Sequence, residues 1–298
     1  MNDKTFTGKT CSVTVIEDSV SQIGRTRLCT LQLRYPRWIH SEFLTHRVLS
    51  RNASSSRAIP TAKAIETVRE FPAFFAHVGK NQPGMQAHEE VSEHHKQQFA
   101  KEWRELANVV ADYAERWSGE YGIHKQVASR VLEPFSYISV VVSATQWDNF
   151  FNLRAHEDAQ PEIQELAYTM KEAMDKSSPR LIRAGLLKDP RVWHLPYVTM
   201  HERQSNSISD LVAMSAARCA RVSYLTHDKQ NPKKEDDIAL YRRLVESKPL
   251  HASPLEHQAY AAAAVQPSAN FTGGWIQHRR LLEMQGSIEN LQQALKNN

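Results

Sequence analysis

The sequence predicts a mixed α/β fold of the α+β type. Two observations carry this reading. β-type runs recur at Val13–Val15, Leu28–Leu33, Phe135–Ala144 and near Val265. Between them lie longer stretches whose apolar residues return every three or four positions, and Gly24, Pro36, Pro134 and Pro190 mark boundaries.

The elements follow in order. The first 27 residues form a strand and a turn at Gly24. Leu28–Leu33 is a second strand, with Leu31 and Leu33 on one face and Thr30 and Gln32 on the other, and Pro36 ends it. Trp38–Leu49 reads as a short helix that carries His46 and Arg47 near its C-terminal end. Glu89–Trp117 is a long amphipathic helix with Phe99, Trp103, Leu106, Val110, Tyr113 and Trp117 on one stripe. The histidines at its start, His88, His94 and His95, share no convincing ligand face, so a solvated surface is expected there and no metal site. Lys125–Leu132 is a helix stopped before Pro134, and Phe135–Ala144 a buried strand. Asn149–Ser177 returns to helix, with Ile163, Leu166, Met170, Ala173 and Met174 on its stripe. Residues 188–206, with Pro190 and Pro196, read as an irregular linker. Ser207 and Asp210 form a capping arrangement for a helix to about Val222. Asp236–Ser247 is another helix, and His251–Val265 leads from a turn into a strand.

Composition narrows the function classes. At 298 residues the chain can bury a substantial core. Its 41% hydrophobic and 23% charged residues are ordinary for a globular protein. A net charge of +4 favours anionic ligands weakly, a nucleotide phosphate as readily as a nucleic acid. No apolar run approaches the ~18 residues of a membrane span, and Met1-Asn2-Asp3-Lys4 begins no signal peptide. The 3 cysteines are widely separated, which suggests no disulfide framework and a reducing cytoplasm. Cys29 and Cys219 have no activating histidine beside them in sequence and read as small buried apolar residues.

Three segments could carry chemistry. The first, Thr45-His46-Arg47-Val48-Leu49-Ser50-Arg51-Asn52-Ala53-Ser54-Ser55-Ser56-Arg57, offers guanidinium forks, short hydroxyls and backbone N–H groups suited to a phosphate or a ring edge. Its plainer reading is a solvated turn. The second is Asn149-Phe150-Phe151-Asn152-Leu153-Arg154. It sets two amides on one helix face near an arginine, a surface able to read a heterocycle edge. The third is His251-Ala252-Ser253-Pro254-Leu255-Glu256-His257, which also makes sense as a helical cap.

Together these segments resemble the flavin-dependent thymidylate synthases (thymidylate synthase complementing proteins). That family has Arg-His-Arg followed after seven residues by a serine; His46, Arg47, Ser55 and Arg57 match, while Thr45 replaces the first arginine and Ala53 a glutamate. Asn149 to Arg154 is similar to the family's Asn-Phe-Leu-Asn-Leu-Arg, with Asp158 where a histidine is usual and His156 close by. Ala128 to Pro134, Ala220-Arg221-Val222-Ser223-Tyr224 and His251 to His257 resemble three further family elements.

The resemblance implies a largely antiparallel sheet with a helical layer, in circularly permuted order. A single domain would span 1–298: residues 28–187 resemble the family's central and C-terminal part, 188–206 the linker joining its former ends, and 207–265 its N-terminal part. Residues 266–298 extend the chain and echo 34–50, with His278-Arg279-Arg280 as a second, partial copy of the arginine motif.

By that likeness the chain transfers a one-carbon unit from methylenetetrahydrofolate to C5 of dUMP, with reduced FAD as hydride donor and NADPH as co-substrate. Glu42, Ser55, Ser56, Arg57, Arg130 and Arg154 would meet the substrate, Arg154 as the catalytic residue. His46, Arg47, Asn52, Ser143, Asn149, Ser223, Ser253 and Glu256 would hold FAD. A homotetramer with shared sites is expected. The changes at Thr45 and Ala53 keep open a reaction on dCMP or UMP, or a hydroxymethyl product. The rival of another class is a non-catalytic nucleic-acid-binding protein. The helical spacing of Phe99, Trp103 and Trp117, which suits a core better than a stacking platform, argues against it.

Overall fold

The computed structural model, which describes residues 4–222, 233–262 and 269–286, is organised around an antiparallel hairpin. Strands β1 (Thr5–Thr7), β2 (Ser12–Ser21) and β3 (Arg27–Pro36) run in succession, with a bulge in β2 between Val15 and Glu17. The β2–β3 turn must be glycine at Gly24. A Cβ there would lie 2.1 Å from the Gly273 carbonyl oxygen, so this turn packs directly on the C-terminal segment. Strand β4 (Ser50–Ala53) and strand β5 (Tyr137–Ala144) extend the sheet in the order β1-β2-β3-β5-β4, and β6 (Arg180–Ile182) joins β2 in parallel. Strands β7 (Trp193–His194), β8 (Ala259–Ala261) and β9 (Trp275–Gln277) make a second antiparallel sheet. The fold is therefore mixed α/β with largely antiparallel sheets, as the sequence predicts.

Helices α1 (His40–Leu44), α2 (Thr61–Glu70), α3 (Glu93–Gly119) and α4 (Lys125–Ala128) precede β5. Helices α5 (Asp148–Arg154) and α6 (Pro161–Asp175) follow it, then α7 (Met200–Ser205), α8 (Ile208–Ala220) and α9 (Lys234–Glu246), of which α8 packs on the second sheet. Because side chains alternate along a strand, β5 can be buried on both faces. Ile138, Val140 and Val142 join Leu31, Leu33 and the Ile163, Leu166 and Met170 stripe of α6; Val141 meets Cys219 of α8 on the other side. Each of these large aliphatic side chains contributes about 1.5–3 kcal/mol by leaving water. Cys11, Cys29 and Cys219 are free and buried.

Five expectations are corrected. Trp38–Leu49 is not one helix: a 3-10 turn (Arg37–Ile39) leads into α1, which stops at Leu44, and the polar run beyond pairs with β5 as β4. The buried stripe of α3 is Ala107, Ala111 and Ala114 rather than the aromatic one. These small residues face α2, while Leu106 and Tyr113 are exposed. Past α4 the chain tightens into 3-10 turns (Ser129–Phe135) that include Pro134 instead of ending before it. The expected helix Asn149–Ser177 is split: α5 ends at Arg154, where Ala155 leaves the helical conformation, and after a turn Pro161 opens α6. Finally, residues 188–206 are ordered. Trp193, His194 and Leu195 are buried, and α7 is opened by a capping box between Thr199 and Glu202. Helix α2, which the sequence reading did not include, buries Ile65 and Val68. No helix among the described residues is long and apolar enough to cross a membrane.

Candidate active site

The site begins where α1 ends. Four carbonyls at a helix C-terminus lack intrahelical partners. Arg51, reaching back from β4, donates to the carbonyls of Leu44 (2.9 Å), His46 (3.0 Å) and Leu49 (2.7 Å) and so fixes the turn that follows α1. Thr45 Oγ1 adds a bond to the Glu42 carbonyl at 2.7 Å. This pinned turn presents Glu42 and His46 to α5.

Arg154, in the last turn of α5, completes the group. Its position also suits a cation, because the helix dipole is negative there. Its Nε donates to His46 Nε2 at 2.9 Å, one Nη donates to Glu42 Oε1, and the other lies 3.4 Å from Thr45 Oγ1. An arginine has only donors, so His46 must accept through Nε2 and is neutral. Burial and the neighbouring Arg154 hold the His46 pKa below its ordinary value, against an opposing hydrogen bond to Asn149. The Phe150 ring contacts the imidazole edge-on, 4.9 Å between centroids.

Glu42 and Arg154 open onto a cleft of about 1070 Å³ whose far walls include His88, Gln86 and Phe75. His156 and Asp158 also line it, their side chains 3.6 Å apart. At its floor the buried Glu162 accepts the Ala76 backbone N–H at 2.9 Å and holds the wall in place. The cleft thus offers an oriented guanidinium, a carboxylate and the exposed Asn152 amide to a ligand that both donates and accepts. No cluster of three or more metal-ligating side chains occurs among the described residues.

The late segments converge on β4. The Asn52 amide donates to the Cys219 carbonyl at 2.9 Å and accepts from Ser253 Oγ at 3.0 Å. Gln277 donates to Ser50 Oγ at 2.8 Å and to the Glu256 carbonyl at 2.9 Å. Arg279, from the second arginine motif, pairs with the Glu256 carboxylate. His278 is buried against Tyr241, 2.8 Å from its hydroxyl, so that motif builds structure.

Other candidate residues lie apart from Arg154 within the chain. Ser143 is fully buried, its hydroxyl shared between Thr30 (2.6 Å) and His257 (2.9 Å), which leaves no surface for a cofactor. Asn52 and Ser253 already bond one another. Ser55 and Arg57 are exposed, and Arg130 is exposed and pairs with Glu133 at 2.8 Å; within one chain none of them touches Arg154. Ser56 faces a different pocket. Arg47 is exposed. Ser223 lies outside the described residues. Arg51 was missed. A lone arginine just after a helix end is the only trace it leaves in the sequence.

Comparison with known proteins adds the following. The family model described as thymidylate synthase complementing protein matches residues 14–180. No curated protein matches. Among solved structures, the UMP/dUMP methylase PolB from Streptomyces cacaoi bound with 5-Br UMP is 18% identical. The match covers 57% of this chain and 90% of that one, with a TM-score of 0.45. The same enzyme bound with 5-Br dUMP gives 17% identity, 56% and 90% coverage, and a TM-score of 0.46.

Proposed function

Since this chain belongs to the thymidylate synthase complementing protein family, we propose that it transfers a one-carbon unit from methylenetetrahydrofolate to C5 of dUMP. Reduced FAD, renewed by NADPH, would supply the hydride. The observation that carries this reading is Arg154, held at the cleft by His46 and Glu42, which joins the two strongest sequence motifs in one group. A guanidinium fixed on one side by a neutral imidazole and a carboxylate keeps further N–H groups for a uracil carbonyl. There it stabilises the enolate-like charge that develops as C5 becomes nucleophilic.

The donor set fits a flavin in part. Arg47 and Asn149 are exposed beside the His46 turn, a cation and an amide suited to a pyrophosphate and to a ring edge. They would hold FAD, whereas Ser143, Asn52 and Ser253 would brace the wall behind it. All three cysteines are buried, which removes them as nucleophiles toward C6. Burial pushes the Cys11 thiol up to about 11 and raises those of Cys29 and Cys219 further.

Two extensions belong to the same reading. Ser55, Arg57 and Arg130 would reach substrate bound at a neighbouring subunit's Arg154, in a homotetramer with shared sites. The bonds from Asn52 to Cys219 and Ser253 support a circularly permuted family domain, with 188–206 joining the former ends, because they tie residues beyond 207 to the first motif.

The test is direct. Purified protein reconstituted with FAD should show flavin absorbance that bleaches on reduction and shifts with dUMP. Incubation with dUMP, UMP or dCMP, the folate donor and NADPH should yield a one-carbon product from dUMP. Protein that cannot take up FAD would remove the reading. A second reading, a different pyrimidine nucleotide or a hydroxymethyl product, is favoured by Thr45 and Ala53, and product mass separates the two.

A further inference from the structure

A second pocket, of about 270 Å³, lies among β3, β5, α2 and the 3-10 turns of Ser129–Phe135, and shares no lining residue with the Arg154 cleft. Its walls carry Arg34, Arg37 and Lys63 against one carboxylate, Glu133. Glu133 is already engaged by Arg37 at 3.3 Å and by Arg130 at 2.8 Å. Arg34 and Lys63 have no ion-pair partner among the described residues. Arg34 is half-buried, and its guanidinium stacks 3.7 Å from the centre of the Tyr137 ring, which sets its plane and leaves its N–H edges available. Burial lowers the Arg34 pKa, the signature of a cation lacking a counter-charge.

Hydroxyls complete the lining. Ser54 Oγ accepts the Ser139 N–H at 3.2 Å, which leaves its own O–H to donate, and Ser56 faces the same space. A half-buried guanidinium without a carboxylate is costly to desolvate, and a bound anion would offset that cost. The forked donors of Arg34, a lysine point charge and serine O–H groups match the tetrahedral oxygens of a phosphate better than a planar carboxylate.

We propose that this pocket binds a phosphate dianion, free or as the head of a small ester, at a site separate from the Arg154 cleft. The inference does not depend on the methylase reading. Ser54 and Ser56 alternate along the loop with exposed Ser55 and Arg57, so an occupied pocket also fixes the loop that carries those two residues.

The experiment titrates inorganic phosphate into the full-length protein by calorimetry, with chloride at matched ionic strength as control and a nucleoside monophosphate against its nucleoside as a second arm. Saturable phosphate binding is expected in the wild type and in Arg154→Ala. It should weaken roughly tenfold or more in Arg34→Met, which keeps the packing on Tyr137, and in Lys63→Gln, which lies on the α2 surface and stands in should Arg34→Met fail to fold. Binding by the monophosphate but not the nucleoside that persists in Arg154→Ala and weakens in Arg34→Met would show that this pocket accepts an esterified head. Absence of saturable phosphate binding, unchanged affinity in a folded Arg34→Met or Lys63→Gln, or loss of binding in Arg154→Ala would overturn the proposal.

Discussion

Arg154 works through its neighbours. Its Nε bond to His46 and its ion pair with Glu42 hold the guanidinium plane in one orientation, which a flexible lysine could not reproduce. Arg154→Ala should therefore lower kcat/KM by about 10²–10³-fold while FAD remains bound. Glu42→Gln, which keeps a weaker acceptor, should cost about 10-fold, chiefly in kcat. The imidazole adds a pH signature. His46 must stay neutral to accept from Arg154, and its depressed pKa keeps it so. The acid limb of the pH–rate profile should thus fall below the ordinary histidine value of about 6.5 and move in His46→Gln. A limb at or above that value would argue that His46 is not the titrating group.

At the scale of elements, a buried polar chain joins the two sheets. Ser19, His194, Thr30, Ser143 and His257 follow one another at 2.9, 2.7, 2.6 and 2.9 Å. Both imidazoles are fully buried, and His257 Nε2 has no partner among the described residues. Burial lowers His194 to about 4 and His257 to about 3. Unfolding releases both rings to their ordinary pKa. Between about 6.5 and 4 the unfolded chain therefore binds more protons, and stability falls as the pH drops through that window. Thermal melts should show this loss, up to a few kcal/mol, and His257→Gln should reduce it. Parallel melting curves for the two proteins would contradict the chain's role. The Arg51 bonds to three carbonyls make a similar claim. Arg51→Met should destabilise the turn after α1 by about 1–3 kcal/mol, seen as a lower Tm together with lower activity.

Much of this was legible in the residues. The β2–β3 hairpin, β5, α3, α6 and α8 follow from spacing and breakers, and the structure brings His46 and Arg154, from two of the motifs, together with Glu42. Most of what was not read depended on tertiary partners. Ser50–Ala53 looks like a polar turn until β5 supplies hydrogen bonds for it. The alanine stripe of α3 wins over the aromatic one only because α2, unseen in sequence, packs there. Ser143 carries the chemistry of a ligand contact but lies between two sheets.

At the scale of the whole molecule, two separate cavities carry cationic side chains. The cleft gathers Arg154 and Glu42, and the smaller pocket gathers Arg34 and Lys63, while Ser55, Arg57 and Arg130 stay exposed. If subunits share sites, Arg154→Ala and Arg57→Ala chains should each be inactive alone and recover turnover when co-expressed. Mixed oligomers with no activity would place both residues in one chain's site. The most direct measurement concerns the central claim itself: the mass of the nucleotide formed from dUMP, folate donor and NADPH with and without FAD. The account predicts a one-carbon addition at C5 that requires FAD and is lost in Arg154→Ala. The same product formed without FAD, or formed undiminished by Arg154→Ala, would contradict it.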